Sequence, residues 1–331
     1  MGTCCPTGTG TRTSGGAAPS PEDSTDARRG MALVATTRLP DMRLAIIGLG
    51  LIGGSVARAL AARDAGAWHV VAWSRSREGP RAALADGVID AVAPSAGDAI
   101  ADAELVLLAA SPLANLDLLR RLGPQAVQSG AVVTDVTSAQ ARLAATADDV
   151  PGLRYIGGHP MAGAEARGYD AARADLFLDR PWIVLPGRDA AEEDIARVET
   201  LGRACGGRIV RMAPQVHDHL VAAVSHLPLA VAAALAETVI GDAAWSDAER
   251  LAAGGWRDAT RVARGDADLA TGIAALNRDE LVAWLDRLSA VLSSWRADIA
   301  AIPDAPDDHG LDVVRARFER VRRSLTDVPR T

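Results

Sequence analysis

The run Gly48-Leu49-Gly50-Leu51-Ile52-Gly53 constrains this 331-residue chain more than any other feature. It follows an apolar stretch that reads as a strand (43–47) and opens one that reads as a helix (51–62), the context that gives a Gly-x-Gly-x-x-Gly spacing its physical meaning. The first glycine permits a tight turn, the second lets a diphosphate approach the backbone, and the third lets helix and sheet pack closely. The diphosphate then rests on the free amides of the helix N-terminus. Gly48, Leu49, Gly50, Leu51, Ile52 and Gly53 are therefore the first cofactor-binding candidates.

The pattern that follows agrees. Short apolar runs at 43–47, 69–73, 105–109 and 131–134 alternate with helical stretches at 51–62, 77–85, 113–121 and 139–147, the signature of a parallel sheet covered on both faces. Further short strands are expected near 155–157, 182–185 and 208–211. After Pro214 the strand signals stop, and Ala/Leu-rich helices are predicted over 215–240, 247–264, 268–275, 279–301 and 311–325. Pro228 should kink the first of these by removing an amide donor. The expected architecture is an α/β Rossmann-type nucleotide-binding domain (41–212) followed by an all-α helical domain (213–331), a natural homodimerisation surface. Residues 1–40, rich in Gly, Thr, Ser and Pro, read as a disordered tail.

Composition narrows the function. Acidic residues exceed basic ones by seven, which argues against nucleic acid as a partner. Every basic residue is Arg, so a Schiff-base lysine mechanism is excluded. Cys4, Cys5 and Cys205 form no disulfide framework or CxxC pair, which suits a reducing cytoplasm. The most apolar segment (220–240) contains His226, Pro228 and Glu237, so no membrane span is expected. His217, His219 and His226 invite a metal reading. On a straight helix, however, His217 and His226 face opposite ways, and His219 and His226 are about 10 Å apart. No metal site is expected.

The second strand ends Trp73-Ser74-Arg75-Ser76-Arg77, without the acid that usually holds an NAD ribose. Ser74 and Arg75 suit a 2′-phosphate, so NADP is slightly favoured over NAD. Ser111-Pro112 falls where the nicotinamide half would pass. Beyond it, Thr134-Asp135-Val136-Thr137-Ser138 ends a strand at the carboxyl edge, and Gly157-Gly158-His159-Pro160 follows the next one. The Gly and Pro residues around His159 suggest a rigid loop rather than core packing. A neutral imidazole there suits general-base work, with Ser138 orienting the substrate or the imidazole, or capping the next helix.

GLGLIGGS (48–55), GGHPMAGAE (157–165) and SHLP (225–228), in that order, resemble the prephenate/arogenate dehydrogenase (TyrA-type) family from about residue 42 to 301. The resemblance implies oxidative decarboxylation of a cyclohexadienol dicarboxylate on the route to tyrosine, with hydride passing from ring C4 to NAD(P)+. It implies that His159 accepts the hydroxyl proton and that His226 lines the substrate pocket. It also favours Arg261 over Arg257 as the carboxylate grip, because Thr260-Arg261 matches the family's Thr-Arg pair. The chain departs from the family at Gln140, where Lys is usual, at Ala164, where Ser is common, and at Leu229, where His often follows. Two alternatives are a 4-amino-4-deoxyprephenate dehydrogenase and a non-catalytic NADP-binding regulator. β-Hydroxyacid dehydrogenases and imine reductases share the two-domain plan but normally use a Lys that this chain lacks.

Overall fold

The computed structural model describes residues 42–164, 166–304 and 308–326; the expected tail, Cys4, Cys5 and Glu165 lie outside them. Its first half runs β1 (Met42–Ile47), α1 (Leu51–Arg63), β2 (Trp68–Trp73), α2 (Glu78–Ala85), β3 (Ala91–Val92), α3 (Ala96–Ile100), β4 (Leu105–Leu108), α4 (Pro112–Ser129), β5 (Val132–Asp135), α5 (Ala141–Asp148) and β6 (Arg154–Pro160). It continues with β7 (Pro181–Pro186), α6 (Glu192–Ala204) and β8 (Arg208–Arg211). The strands form one sheet in the order β3-β2-β1-β4-β5-β6-β7-β8. Pairing is parallel except between β6 and β7, which run antiparallel with His159 opposite Ile183.

Both faces of the sheet are buried, so its strands are apolar throughout rather than alternating. Leu44 and Ile46 point into one core with Val56, Leu60, Phe177 and Trp182. Ala45 and Ile47 point into the other with Ile100, Leu119 and Leu143. β3 and α3 are absent from the sequence reading, because a two-residue strand and a five-residue helix are too short to carry a period.

The helical half comprises α7 (Pro214–Val221), α8 (Leu227–Ile240), α9 (Trp245–Ala248), α10 (Gly254–Thr260), α11 (Ala267–Leu276), α12 (Arg278–Ala300) and α13 (Asp308–Thr326). Two expectations are corrected here. The helix predicted over 247–264 is broken into α9, two 3-10 turns and α10, with Gly254 and Gly255 starting the new helix. The Pro228 kink takes the form of one π-helical turn, Ala222–His226, which lets Pro228 sit in the first turn of α8, where no amide is needed. That turn absorbs about one residue of rotation. At about 100° per residue, His217 and His226 would lie half a turn apart; with the bulge they come to roughly 80°. Both are buried.

By length and apolarity alone, Pro214–Ile240 could span a bilayer. His217, Asp218 and His226 lie within it, each at most 2% exposed and engaged in the polar network described next.

Candidate active site

The glycine turn is built as its spacing demands. Gly48 has φ +105°, and a Cβ there would meet the Ala109 carbonyl carbon at 2.6 Å. A Cβ at Gly53 would lie 2.1 Å from the Gly48 carbonyl oxygen, whereas one at Gly50 meets nothing within 4 Å. Gly50 is therefore the open position, free for a diphosphate. α1 has no acidic residue in its first turn to compete for its free amides. Beside it lies a cleft of about 680 Å³ lined by Gly48, Gly50, Ser74, Arg75, Ser111 and Asp266, among others. These features fit a dinucleotide.

Side-chain roles within the motif divide. Leu49 is buried and Leu51 and Ile52 pack on the core, so they offer a ligand only their backbone. The Ser74 hydroxyl accepts from the Leu49 amide at 2.6 Å and braces the turn. Arg77, in the left-handed region at φ +57°, donates to the Pro94 carbonyl. Arg75 is exposed on the cleft wall, and Glu78 lies on the same wall. Ser111 lines the cleft just before α4, whereas Pro112, the first residue of α4, is buried and does not line it.

His159 corrects an expectation: it sits on β6, not in a loop after it. The glycines before it are there for close approach. A Cβ at Gly157 would lie 2.2 Å from Gln140 Oε1, and one at Gly158 would lie 2.5 Å from the Asp135 carbonyl oxygen. β6 thus presses against the end of β5 and delivers a nearly buried imidazole, 9% exposed, to the carboxyl edge of the sheet.

A chain of three side chains leads away from it. His159 Nδ1 is 2.8 Å from His217 Nε2, and His217 Nδ1 is 2.8 Å from Asp218 Oδ1. The Asp218 carboxylate also accepts from the Gln140 amide (2.8 and 3.0 Å) and the Ala141 amide (2.7 Å), capping α5 from another element. An ionised carboxylate only accepts, so a neutral His217 carries its proton on Nδ1 and accepts at Nε2. His159 must then donate from Nδ1, which leaves the lone pair on its Nε2. Burial above all, then the neighbouring His217 and His226, holds the His159 pKa well below the ordinary 6.5 and keeps the ring neutral.

Two further atoms lack a hydrogen-bond partner among the described residues. Ser138 Oγ and His226 Nε2 are buried polar atoms without a hydrogen bond. Ser138 does not cap α5, a task its position suggested, because Asp218 performs it. Burial lowers the His226 pKa to about 4. On its other side His226 Nδ1 is 3.1 Å from Asn277 Nδ2, which also donates to the Asp218 carbonyl at 2.8 Å. Unpaired buried polar atoms are costly. Of the six among the described residues, these two lie on His226 and on Ser138, whose backbone is beside the His226 ring, and a polar ligand could satisfy them.

Gln140 stands where the resemblance leads one to expect a cation. Its Nε2 lies within 3.0 Å of Asp135 Oδ1, the Thr137 carbonyl and the Gly158 carbonyl. It therefore ties the Ser138 segment to the strand bearing His159. Burial raises the Asp135 pKa, while bonds from Thr137, Tyr155 and Gln140 oppose that rise.

The structure thus brings His159 and His226 into one buried network and leaves the Ser138 hydroxyl unpaired in the segment joined to it through Gln140. Arg257 and Arg261 lie exposed on the segment packed against α8. Asp218 and Asn277 carry no sequence signal of their own, and His217 enters the sequence reading only as a metal ligand that is set aside. The available signal was a His-Asp pair in the first turns of an otherwise apolar helix, a place where two polar groups need a reason. No group of three metal-ligating side chains occurs among the described residues.

A dinucleotide-type glycine turn, a cleft beside it and a neutral buried base at the carboxyl edge of the sheet define a nicotinamide-dependent dehydrogenase. Comparison with known proteins gives the family. Residues 56–211 match the model "Prephenate dehydrogenase, nucleotide-binding domain" and residues 213–304 match "Prephenate dehydrogenase, dimerization domain". The chain is 34% identical over 261 residues to a cyclohexadienyl dehydrogenase of Zymomonas mobilis, covering 78% of this chain and 88% of that one. It is 32% identical over 260 residues to a prephenate dehydrogenase of Bacillus subtilis, covering 78% and 68%. A solved arogenate dehydrogenase from Synechocystis superposes with a TM-score of 0.70 at 27% identity, covering 86% of this chain and 99% of that one. The chain belongs to the prephenate dehydrogenase family, and its nucleotide-binding domain is followed by a helical dimerisation domain.

Proposed function

We propose that the protein oxidises and decarboxylates a cyclohexadienol dicarboxylate, prephenate or arogenate, as a step of tyrosine formation. The observation that carries this reading is the Asp218–His217–His159 chain, which ends in an imidazole nitrogen with a free lone pair. Oxidising a carbinol requires its hydroxyl proton to be accepted, and a neutral imidazole suits that task at pH 7. His159 Nε2 takes this proton. As positive charge develops on His159, the Asp218 carboxylate compensates it through His217, without a large rearrangement. Ser138 Oγ, unpaired and buried, orients the ring hydroxyl. The nicotinamide, when bound, supplies the hydride acceptor. Loss of carbon dioxide is then driven by aromatisation, so the chain need not provide an electron sink. His226 and Arg261 hold the substrate's acceptor groups, the guanidinium by a bidentate grip on a carboxylate.

We place NADP ahead of NAD, on the exposed Arg75 in the cleft wall; Glu78 on that wall is the group that would favour NAD. The working unit is a homodimer through the helical domain. In support, α8 is almost wholly apolar yet buries only Ala232 within one chain. The cysteine usage suits the cytoplasm.

The test is formation of reduced nucleotide with prephenate, arogenate and 4-amino-4-deoxyprephenate in turn, each with NAD+ and NADP+. Oxidation of one of the first two supports the reading. If no substrate is oxidised with either nucleotide, it fails.

A further inference from the structure

His226 and His159 are both buried imidazoles of the same network, and their partners give them opposite polarity. The difference begins at Asn277, which lies between α11 and α12 and is 5% exposed. Its orientation is settled by the Asp218 backbone carbonyl at 2.8 Å: a carbonyl oxygen only accepts, so the Asn277 atom facing it is the amide nitrogen. The same nitrogen has a second hydrogen and faces His226 Nδ1 at 3.1 Å. An amide nitrogen has no lone pair to offer, so His226 Nδ1 must be the acceptor. In a neutral imidazole the proton is then on Nε2, a buried atom without a hydrogen-bond partner among the described residues; the Ser138 backbone lies beside the ring and favours a proton on it.

We propose that Asn277 is a positioning residue that locks His226 as the Nε2–H tautomer, making it a hydrogen-bond donor to an oxygen acceptor of the bound substrate. The proposal rests on the function given above and sharpens its substrate class. The group seated on His226 is a carboxylate, carbonyl or ether-type oxygen, and an ammonium group is rejected there, since donor would meet donor. Asp218 joins the two halves of the device. Its carboxylate makes His159 an acceptor through His217, and its carbonyl, through Asn277, makes His226 a donor. One residue thereby gives the site a base at one histidine and a donor at the other.

Two measurements test this. The first is ¹⁵N NMR of the full-length protein labelled at its six histidines, with His226 assigned by loss of its signal in His226→Gln. The lock requires a protonated Nε2 and an unprotonated Nδ1 at pH 7; a proton on Nδ1, or on both nitrogens, overturns it. This readout uses the wild-type chain and stands even if an Asn277 variant folds poorly. The second is a double-mutant cycle in the oxidation assay. Asn277→Leu should raise KM for the substrate about tenfold, the factor equivalent to about 1.4 kcal/mol, with kcat changed less than threefold. In a His226→Gln background, whose amide donates without help from Asn277, the same substitution should leave KM unchanged. Equal effects in both backgrounds would reduce Asn277 to a structural role. Should the wild type oxidise none of the substrates, the functional reading falls, while the tautomer of His226 is still decided by the spectrum.

Discussion

Replacing Asp218 by Asn tests the buried relay at its root. The carboxylate meets His217 Nδ1 and the Gln140 amide at Oδ1, and the Gln140 and Ala141 amides at Oδ2. An asparagine NH₂ placed at the Oδ2 position would face two backbone N–H donors that cannot reverse. Placed at the Oδ1 position it faces the Gln140 amide, which keeps Oδ2 as its acceptor, and His217, which can reverse by changing tautomer. Asp218→Asn therefore drives His217 to the Nε2–H form and His159 to its own Nε2–H form, and the lone pair is lost from the pocket. Keeping the competent tautomers would leave a buried donor unpaired, at about 1–3 kcal/mol, and would lose the anion that supports the imidazolium, at about 1.5–3 kcal/mol. Together these give a fall in kcat of about 10²–10⁴-fold at 1.4 kcal/mol per decade, with an upper end that matches the fall of about 10⁴-fold when a catalytic histidine is held in the wrong tautomer. The assay is steady-state formation of reduced nucleotide at saturating substrate, with thermal unfolding as a control for the α5 cap. A folded Asp218→Asn protein that keeps kcat within threefold of wild type would refute the relay.

Other predictions follow from the same geometry. Gly50→Ala should leave the unfolding midpoint unchanged and weaken dinucleotide binding at least about tenfold, because only a ligand approaches that position; Gly53→Ala should lower stability by about 1–3 kcal/mol through its clash with the Gly48 carbonyl. Calorimetry and urea unfolding on the two variants separate these effects, and equal loss of stability in both would contradict the assignment. Arg75→Ala should weaken NADP binding more than NAD, and Glu78→Ala the reverse; parallel losses would remove both residues from nucleotide choice. His226, lowered to about 4 from an unfolded value near 6.5, binds fewer protons when folded. Its stabilising contribution is full above pH 6.5 and is lost as the pH falls toward 4, amounting to about 2 kcal/mol between pH 7.5 and pH 5. His226→Gln should flatten the urea-unfolding pH dependence by about that amount, and identical slopes would show that His226 titrates normally.

The nucleotide half was legible in the sequence because its signals are local. The Gly48–Gly53 turn, the apolar strands and the intervening helices depend on residues a few positions apart. His159 was legible as a residue but not as a strand position, since Gly157 and Gly158 read as loop formers. Their true reason is the approach of β6 to Asp135 and Gln140, elements distant in the chain. The relay was hidden for two reasons. His217 reaches His159 only through the packing of α7 against α5 and β7, and the π-turn at Ala222–His226 cancels the helical arithmetic that put His217 and His226 on opposite faces. Asn277 contributes through an interhelical junction that no single segment announces.

The central claim is that His159 accepts a proton during oxidation of a ring carbinol whose product loses carbon dioxide. Its most direct test measures carbon dioxide and reduced nucleotide together, in the wild type and in His159→Asn, with prephenate and arogenate. The account predicts equal yields of the two products from the wild type. It also predicts a fall of both by about 10²–10⁴-fold in His159→Asn, the usual worth of general acid–base catalysis, with substrate still bound. Reduced nucleotide formed without carbon dioxide, or undiminished turnover by His159→Asn, would contradict it.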